Sequence, residues 1–157
     1  MYPNPYGANA YSQASQNVSP MKAVIMLYEG VIRLINEAKV HNENGDFEAR
    51  FKAVEKASKI ILGLQGQLDF ENGGEISPIL HQFYDNLFTR MMQINSRDPE
   101  PIISDVLESL KEMKETWIEV NRKTSSSSVS EQQDSSSSKT AVRGSDEILT
   151  SSSSLSV

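Results

Sequence analysis

Four breaks divide the middle of this chain into four segments, and each segment carries apolar residues at helical spacing. The breaks are Ser19-Pro20, Gly45-Asp46, Ser77-Pro78 and Asp98-Pro99. A serine or aspartate oxygen can cap a helix N-terminus, and a proline in the first turn costs no intrahelical hydrogen bond. Apolar residues that recur every three or four positions give each helix one apolar face. The pattern predicts an all-α chain of four helices.

The apolar positions also predict the core. In chain order they are Val24, Leu27, Tyr28, Val31, Ile35, Ala38, Phe47, Phe51, Val54, Ile61, Leu68, Ile76, Ile79, Leu80, Phe83, Leu87, Met91, Ile94, Ile103, Val106, Leu107, Leu110, Met113 and Trp117. Short connections at 42–45 and 96–98 force antiparallel neighbours, and a longer turn around Gly73-Gly74 closes the middle hairpin. Asp69 is interpreted as a helix stop, and both glycines as residues free to adopt positive φ. We predict an antiparallel up-and-down four-helix bundle.

Composition divides the chain into three parts. Residues 1–18 contain three tyrosines and no charged side chain, which predicts a flexible N-terminal arm able to dock on a surface. Residues 19–123 hold the helical pattern and form the bundle. Residues 124–157 are rich in serine, and so little apolar surface cannot offset the backbone entropy lost on ordering. They are predicted to be a disordered tail.

Charge and cysteine content exclude several function classes. The chain has 157 residues, enough for one domain, and a net charge of -6 from 21 acidic and 15 basic residues. It has no basic run that could follow a phosphate backbone, so nucleic acid is not an expected partner. The absence of cysteine removes disulfides and thiolate chemistry and fits a reducing compartment. The apolar run 23–28 is too short for membrane insertion, and no secretory signal precedes it, so a cytoplasmic location is expected.

Metal and catalytic chemistry lack the residues they need. Di-iron bundles use Glu-x-x-His pairs on facing helices, and this chain contains none. His41 and His81 are read as rim or surface residues, and Gly73-Gly74 lacks the strand and lysine of a phosphate-binding loop. We predict no catalytic residue, no metal site, no cofactor and no enzymatic activity. A histidine phosphotransfer bundle acting through His81 stays as an alternative.

Some apolar residues exceed what one core face requires. On the first helix Met21, Ile25 and Ile32 form a second stripe, and on the third Tyr84, Phe88 and Met92 do the same. A small bundle whose helices each touch two neighbours would also have wide apolar faces. Taken together, the excess favours a groove that captures an amphipathic or unfolded segment. The predicted client-binding residues are Tyr11, Met21, Ile25, Ile32, Tyr84 and Phe88.

One set of short motifs resembles a known family. They are Ala10-Tyr11, Ser19-Pro20, Met26-Leu27-Tyr28-Glu29-Gly30, Leu68-Asp69-Phe70, Gly73-Gly74-Glu75-Ile76, Leu80, Tyr84-Asp85 and Trp117. Their order and spacing closely resemble the FliS family, the flagellar export chaperones for flagellin, over about residues 10–123.

The resemblance implies a partner and a process. It implies a cytoplasmic four-helix bundle that binds the disordered C-terminal segment of flagellin, prevents premature polymerisation and helps deliver the client to the flagellar type III export gate. An export-gate component would then be a second partner of the client-loaded protein. Family members hold the client as an extended chain that gains helix on wrapping the bundle, and their N-terminal segment can cover part of the client site.

The chain departs from the family pattern at a few places. Glu29 stands where the family usually has aspartate, Ala23-Val24 replaces a bulkier pair, and Ser77-Pro78 is unusual at the start of the third helix. The serine-rich tail has no counterpart, so no role is carried onto it. A chaperone for another axial component, such as a hook-associated protein, stays as an alternative. Self-association of an unoccupied groove also stays open.

Overall fold

Four α-helices and no strand make up the described part of the chain, which is the backbone of residues 18–137 and the side chains of residues 18–127 in a computed structural model. The helices are α1 (Pro20–Glu43), α2 (Phe47–Gly66), α3 (Ile76–Gln93) and α4 (Glu100–Ser137). The predicted all-α, antiparallel four-helix bundle is confirmed. None of these helices is both long enough and apolar enough to cross a membrane.

The starts of α1 and α2 use the caps that the sequence predicts, whereas α3 begins at Ile76 without a side-chain cap, and Ser77-Pro78 lies inside its first turn. Ser19 Oγ accepts a hydrogen bond from the Lys22 N–H at 3.2 Å, with Pro20 as the first helical residue of α1. Asp46 Oδ1 accepts one from the Ala49 N–H at 3.0 Å at the start of α2. The preceding Gly45 has φ 72°, a conformation that glycine adopts at little cost. Helices α1 and α2 therefore form a tight antiparallel hairpin.

Asp69 organises the longer turn between α2 and α3. Its carboxylate accepts hydrogen bonds from the Glu71 and Asn72 N–H groups at 3.0 and 2.9 Å, and its carbonyl accepts from Gly73 N–H and Ser77 Oγ. The bonds from Asn72 hold the pKa of Asp69 below its usual value. Gly74 has φ 52°, as predicted. Gly73 differs, because it is needed for space rather than for φ: a Cβ there would lie 2.3 Å from the Asp69 carbonyl oxygen.

The core belongs to the unit Met1–Ile118, one of two compact units into which the chain divides; the other is Glu119–Val157. Its buried apolar residues are Tyr28, Val31, Leu34, Ile35, Ala38, Ala53, Val54, Ala57, Ile61, Leu64, Tyr84, Leu87, Met91, Ile94, Ile103, Val106, Leu107 and Leu110. Five predicted core residues are instead exposed: Leu27, Phe47, Phe51, Ile76 and Ile79. Four of them lie in the first two turns of α2 or α3, where fewer neighbouring residues cover a helix.

Polar contacts connect the helices around this core. The Arg50 guanidinium of α2 donates to Asn42 Oδ1 of α1 at 2.7 Å and lies over the Phe47 ring. Between α3 and α4, Arg90 Nη1 donates to Asp105 and, at 3.1 Å, to Ser109 Oγ. Charged hydrogen bonds of this kind stabilise more than neutral ones.

Helix α4 continues past residue 123, where the sequence predicts a disordered tail, and ends at Ser137. Hydroxyl groups in this part of the helix donate hydrogen bonds to carbonyls one turn earlier. Thr124 Oγ1 donates to the Val120 carbonyl at 2.8 Å, and Ser125 Oγ donates to the Asn121 carbonyl at 2.9 Å. Such bonds let serine and threonine remain in a helix despite their weak preference for it. The arm at 1–17 and the tail at 138–157 lie outside the described residues, so the three-part division stays a prediction.

Candidate functional site

An apolar groove lies between the outer faces of α2 and α3. Its volume is about 220 Å³, and its lining residues are Phe51, Glu55, Ser58, Lys59, Leu62, Phe88, Met92 and Asn95. Phe51 and Leu62 are 53% and 47% exposed, although both are large apolar side chains. Contiguous exposed apolar surface of this kind marks a place where a partner binds.

Helical spacing explains why these residues share one face. On α2 the positions 51, 55, 58 and 62 follow the three- and four-residue steps of one helix face. Phe88 and Met92 are one turn apart on α3. Ser58 adds no free polar group to the floor, because its hydroxyl donates to the Val54 carbonyl at 2.8 Å. The floor is therefore apolar over about 16 Å, the rise of the eleven residues from Phe51 to Leu62.

One ion pair marks the α2 rim of the groove. Lys59 Nζ lies 3.1 Å from Glu55 Oε1, one turn before it on the same helix. Surface pairs of this kind contribute about 0.3–0.5 kcal/mol to helix stability, so the pair is no strong anchor for the fold. It leaves the rim charged but close to neutral in sum.

The two ends of the groove differ. Because α2 and α3 are antiparallel, one end lies near Gln65, whose amide nitrogen donates to Asp85 Oδ1 at 2.7 Å and lies 3.1 Å from His81 Nδ1. His81 also lies 3.5 Å from Asp85 Oδ2, so the polar groups at this end satisfy one another. At the other end, the Asn95 Oδ1 atom is buried and has no hydrogen-bond partner among the described residues.

Phe88 and Tyr84, both predicted to bind a client, lie in different environments. Phe88 lines the groove and packs partly against the core. The expectation that Tyr84 lies on the surface is wrong: it is 2% exposed, and its hydroxyl accepts a hydrogen bond from the Tyr28 hydroxyl at 3.0 Å. This contact joins α3 to α1 through the core. Tyr84 is a core residue because it has a polar partner inside the bundle, and it leaves the candidate surface.

Burial keeps both phenols neutral. It raises the pKa of Tyr28 far above the usual value of a tyrosine, and the neighbouring Tyr84 adds to the rise. Burial also raises the pKa of Tyr84. The Trp117 indole lowers the pKa of Tyr28, although its N–H forms no hydrogen bond of normal geometry among the described residues. Two neutral hydroxyls can form a hydrogen bond with each other, whereas a buried phenolate would lack a counter-ion.

The other predicted residues lie away from the groove lining. Met21, Ile25 and Ile32 are all partly buried on α1, and Ile32 packs against the core. They form a separate apolar strip, and their role in binding a client stays a prediction. Tyr11 lies outside the described residues.

Sequence reasoning missed two of the four apolar residues that line the groove. It assigned Phe51 to the core and did not single out Leu62. The signal was present, since these residues lie eleven positions apart on one face of α2. The intervening Glu55 and Ser58 made that face look polar. An apolar pair separated by three turns is a weaker pattern than a continuous stripe.

The site offers binding surface rather than reactive groups. Among the residues that the structure describes, no three His, Cys, Asp or Glu side chains come together as a metal site would require. His81, the candidate for phosphotransfer, contacts Gln65 and Asp85 and packs edge-on against the Phe70 ring, with centroids 5.7 Å apart. What the groove can do chemically is bury an apolar segment.

Comparisons with known proteins agree on one family. The family model described as Flagellar protein FliS matches residues 2–124. The chain is 36% identical over 114 residues to the flagellar secretion chaperone FliS of Campylobacter jejuni, covering 72% of this chain and 89% of the relative. It is 34% identical over 125 residues to that of Salmonella typhimurium, covering 76% and 93%. For the Bacillus subtilis protein of the same name, identity is 30% over 115 residues, with 73% and 84% covered. With this coverage and its four-helix fold, the chain belongs to the FliS family.

Proposed function

We propose that this protein is a cytosolic export chaperone for flagellin, with the α2/α3 groove as part of its client site. The observation that carries the proposal is the apolar groove itself, in which Phe51, Leu62 and Met92 are exposed large apolar side chains and Phe88 is partly buried beside them. Relatives in the family are named as flagellar secretion chaperones. The client is the C-terminal segment of flagellin.

The groove suits an amphipathic helix. Its length of about 16 Å corresponds to three helical turns, so a client helix would place apolar residues at i, i+4 and i+7 or i+8 against it. Each Å² of apolar surface that leaves water contributes roughly 25 cal/mol. That gain must offset the ordering of a disordered client, and a single three-turn contact is small for this purpose. The client therefore wraps further, and the α1 strip of Met21, Ile25 and Ile32 is the second contact we propose.

Capture in this way blocks assembly. The terminal segments of flagellin are disordered in the monomer and pack as helices in the filament, so burying their apolar face removes the surface that filament packing needs. The chaperone acts by binding alone, without a catalytic step. The client-loaded protein then meets a component of the export gate.

Isothermal titration of the full chain with the C-terminal segment of flagellin from the same organism tests the proposal. We expect one-to-one binding with a large negative heat-capacity change, the mark of apolar burial. A hook-associated protein segment serves as the second titrant. Binding to that segment alone would reassign the client, and no binding to either would contradict a chaperone role.

A pair of matched variants tests whether the groove is the site. Leu62→Asp puts a carboxylate on the groove floor, where a bound client would bury it unpaired, so we expect affinity to fall at least about tenfold. Ile79→Asp makes the same kind of change at an exposed apolar residue of α3 that is not part of the groove lining. It should leave affinity within about twofold. Equal losses in both variants, or none in Leu62→Asp, would contradict the groove as the client site.

A further inference from the structure

The groove contains one exposed methionine. Met92 is 39% exposed and lines the groove one turn after Phe88 on α3. Its neighbour in the chain, Met91, is fully buried in the core. A thioether in solution can be oxidised, and exposure decides how readily an oxidant reaches it. Of this adjacent pair, Met92 is therefore the one that a dissolved oxidant can attack.

The other methionines allow a comparison within one molecule. Met26 on α1 is 53% exposed and does not line the groove. Met21 and Met113 are partly buried, and Met1 lies outside the described residues. Two methionines are thus exposed among the side chains that the structure describes, and only Met92 lies in the groove.

Hydrogen peroxide converts a methionine thioether to a sulfoxide. A sulfur lone pair attacks one peroxide oxygen and the O–O bond breaks, so that the sulfur gains the oxygen and loses two electrons while the other oxygen leaves as water. The product is a polar, chiral side chain in place of an apolar one. A methionine sulfoxide reductase reverses the change: two thiols become a disulfide and the oxygen leaves as water.

The groove offers little to a sulfoxide oxygen once a client covers it. The exposed lining is apolar, with Phe51 and Leu62 on the α2 side. The Ser58 hydroxyl already donates to the Val54 carbonyl, and Lys59 Nζ is paired with Glu55. A polar group that is buried without a hydrogen bond destabilises the state that buries it. Oxidation at this position would therefore act against the bound state.

We propose that Met92 is a reversible oxidation site through which hydrogen peroxide weakens client binding in the α2/α3 groove. The reduced side chain is unbranched and adapts to an irregular apolar surface, which suits a client contact. The sulfoxide brings a polar oxygen to the same contact. The inference rests on the proposed function, since it takes the C-terminal flagellin segment as the client.

Titration of the oxidised full chain with the C-terminal flagellin segment tests the site. Peroxide exposure is limited so that mass spectrometry finds one added oxygen at Met92, one at Met26 and none at Met91. We expect the affinity to fall about tenfold, the order expected when an unpaired polar group is buried. Treatment with a thiol-dependent methionine sulfoxide reductase should restore it. An unchanged affinity, or a loss that the reductase does not reverse, would overturn the proposal.

Two leucine variants assign the effect, each compared with its own untreated form. Met92→Leu has no sulfur in the groove, so peroxide should leave its affinity within about twofold of the untreated variant. Met26→Leu lacks the other exposed thioether and should still lose about tenfold. A full loss in Met92→Leu would mean that another methionine, such as Met21, carries the effect, and would overturn the proposal.

Protection by the client gives a second readout. A segment bound in the groove covers Met92 and leaves Met26 open, so saturating flagellin segment should slow oxidation at Met92 relative to Met26. Mass spectrometry of the same sample measures both rates. Equal rates at Met92 with and without the segment would overturn the proposal.

Stability of the free protein separates a lost contact from a damaged fold. Met92 does not belong to the core, so limited oxidation should leave helix content and melting temperature unchanged. A melting temperature that falls in wild type but not in Met92→Leu would mean that the sulfoxide disrupts the bundle, and would overturn the proposal. If untreated wild type does not bind flagellin, the proposed function fails as well. If it binds and oxidation at Met92 changes nothing, only the oxidation site fails.

Discussion

Tyr84 and Phe88 are one turn apart on α3, yet one belongs to the core and the other to the groove. Tyr84 reaches the centre of the bundle and bonds to Tyr28, whereas Phe88 lies at the gap between α2 and α3. Four residues advance a helix by about 400°, so the two side chains point about 40° apart. Close to the edge of an apolar face, this rotation decides which neighbour a side chain meets. Apolar residues at i and i+4 therefore need not share a function.

Truncating each side chain to alanine should give the largest difference in stability between the two positions. Tyr84→Ala leaves a large cavity and an unpaired Tyr28 hydroxyl, and we expect the free energy of unfolding to fall by about 3–5 kcal/mol. Phe88→Ala loses contact area on one side only, and we expect a loss of about 1–2 kcal/mol. Urea unfolding followed by circular dichroism measures both. Equal losses would mean that Phe88 is as much a core residue as Tyr84.

High pH should distinguish the core, which contains two buried tyrosines, from the groove. Burial raises the folded-state pKa of Tyr28 and Tyr84 above the unfolded value of about 10. Their contribution to stability is thus fully present below pH 10 and is lost as pH rises further, at about 1.4 kcal/mol per pH unit for each tyrosine. Unfolding between pH 9 and 12 measures this slope. Phe88→Ala should keep the wild-type slope, and Tyr84→Phe should lower it; an unchanged slope in Tyr84→Phe would contradict the assignment.

The smallest expected effect isolates the hydroxyl pair. Tyr84→Phe at neutral pH keeps the ring and leaves the Tyr28 donor without its acceptor, which we expect to cost about 1–2 kcal/mol. The double variant Tyr28→Phe/Tyr84→Phe should lose less stability than the two single losses added together, because either substitution alone already removes the hydrogen bond. Client affinity should stay within about twofold of wild type for each variant. Additive losses would show that the hydroxyls do not act as a pair.

Local chemistry explains which features the sequence could predict. Caps at Ser19 and Asp46 depend on residues within three positions, and so does the Asp69 turn at its Asn72 contacts. Helix count and the antiparallel order follow from such local signals. The close approach of Asp69 and Gly73 is also local, although the predicted reason for glycine at position 73 was wrong: space, not a positive φ, requires glycine there.

Packing between distant residues explains what the sequence could not predict. Phe51 looks like a core residue from its spacing but is largely exposed, because it lies at the edge of the apolar face of α2, in the groove lining rather than in the core. Tyr84 looks like surplus surface but is buried, because Tyr28 offers a hydroxyl 56 positions earlier in the chain. The continuation of α4 past residue 123 was also unexpected, since composition does not register hydroxyl bonds to carbonyls one turn earlier.

The number of helices, most of their ends, their antiparallel order and the family follow from the sequence alone, since each depends on residues close together in the chain. Which apolar residues close the core and which line the groove depends on the tertiary structure. The reason is geometric: helical periodicity gives each helix an apolar sector, but the edges of that sector are divided between core and solvent by the neighbouring helices. The Asn95 oxygen, which has no hydrogen-bond partner among the described residues, is likewise a feature of the packed molecule and not of the local sequence.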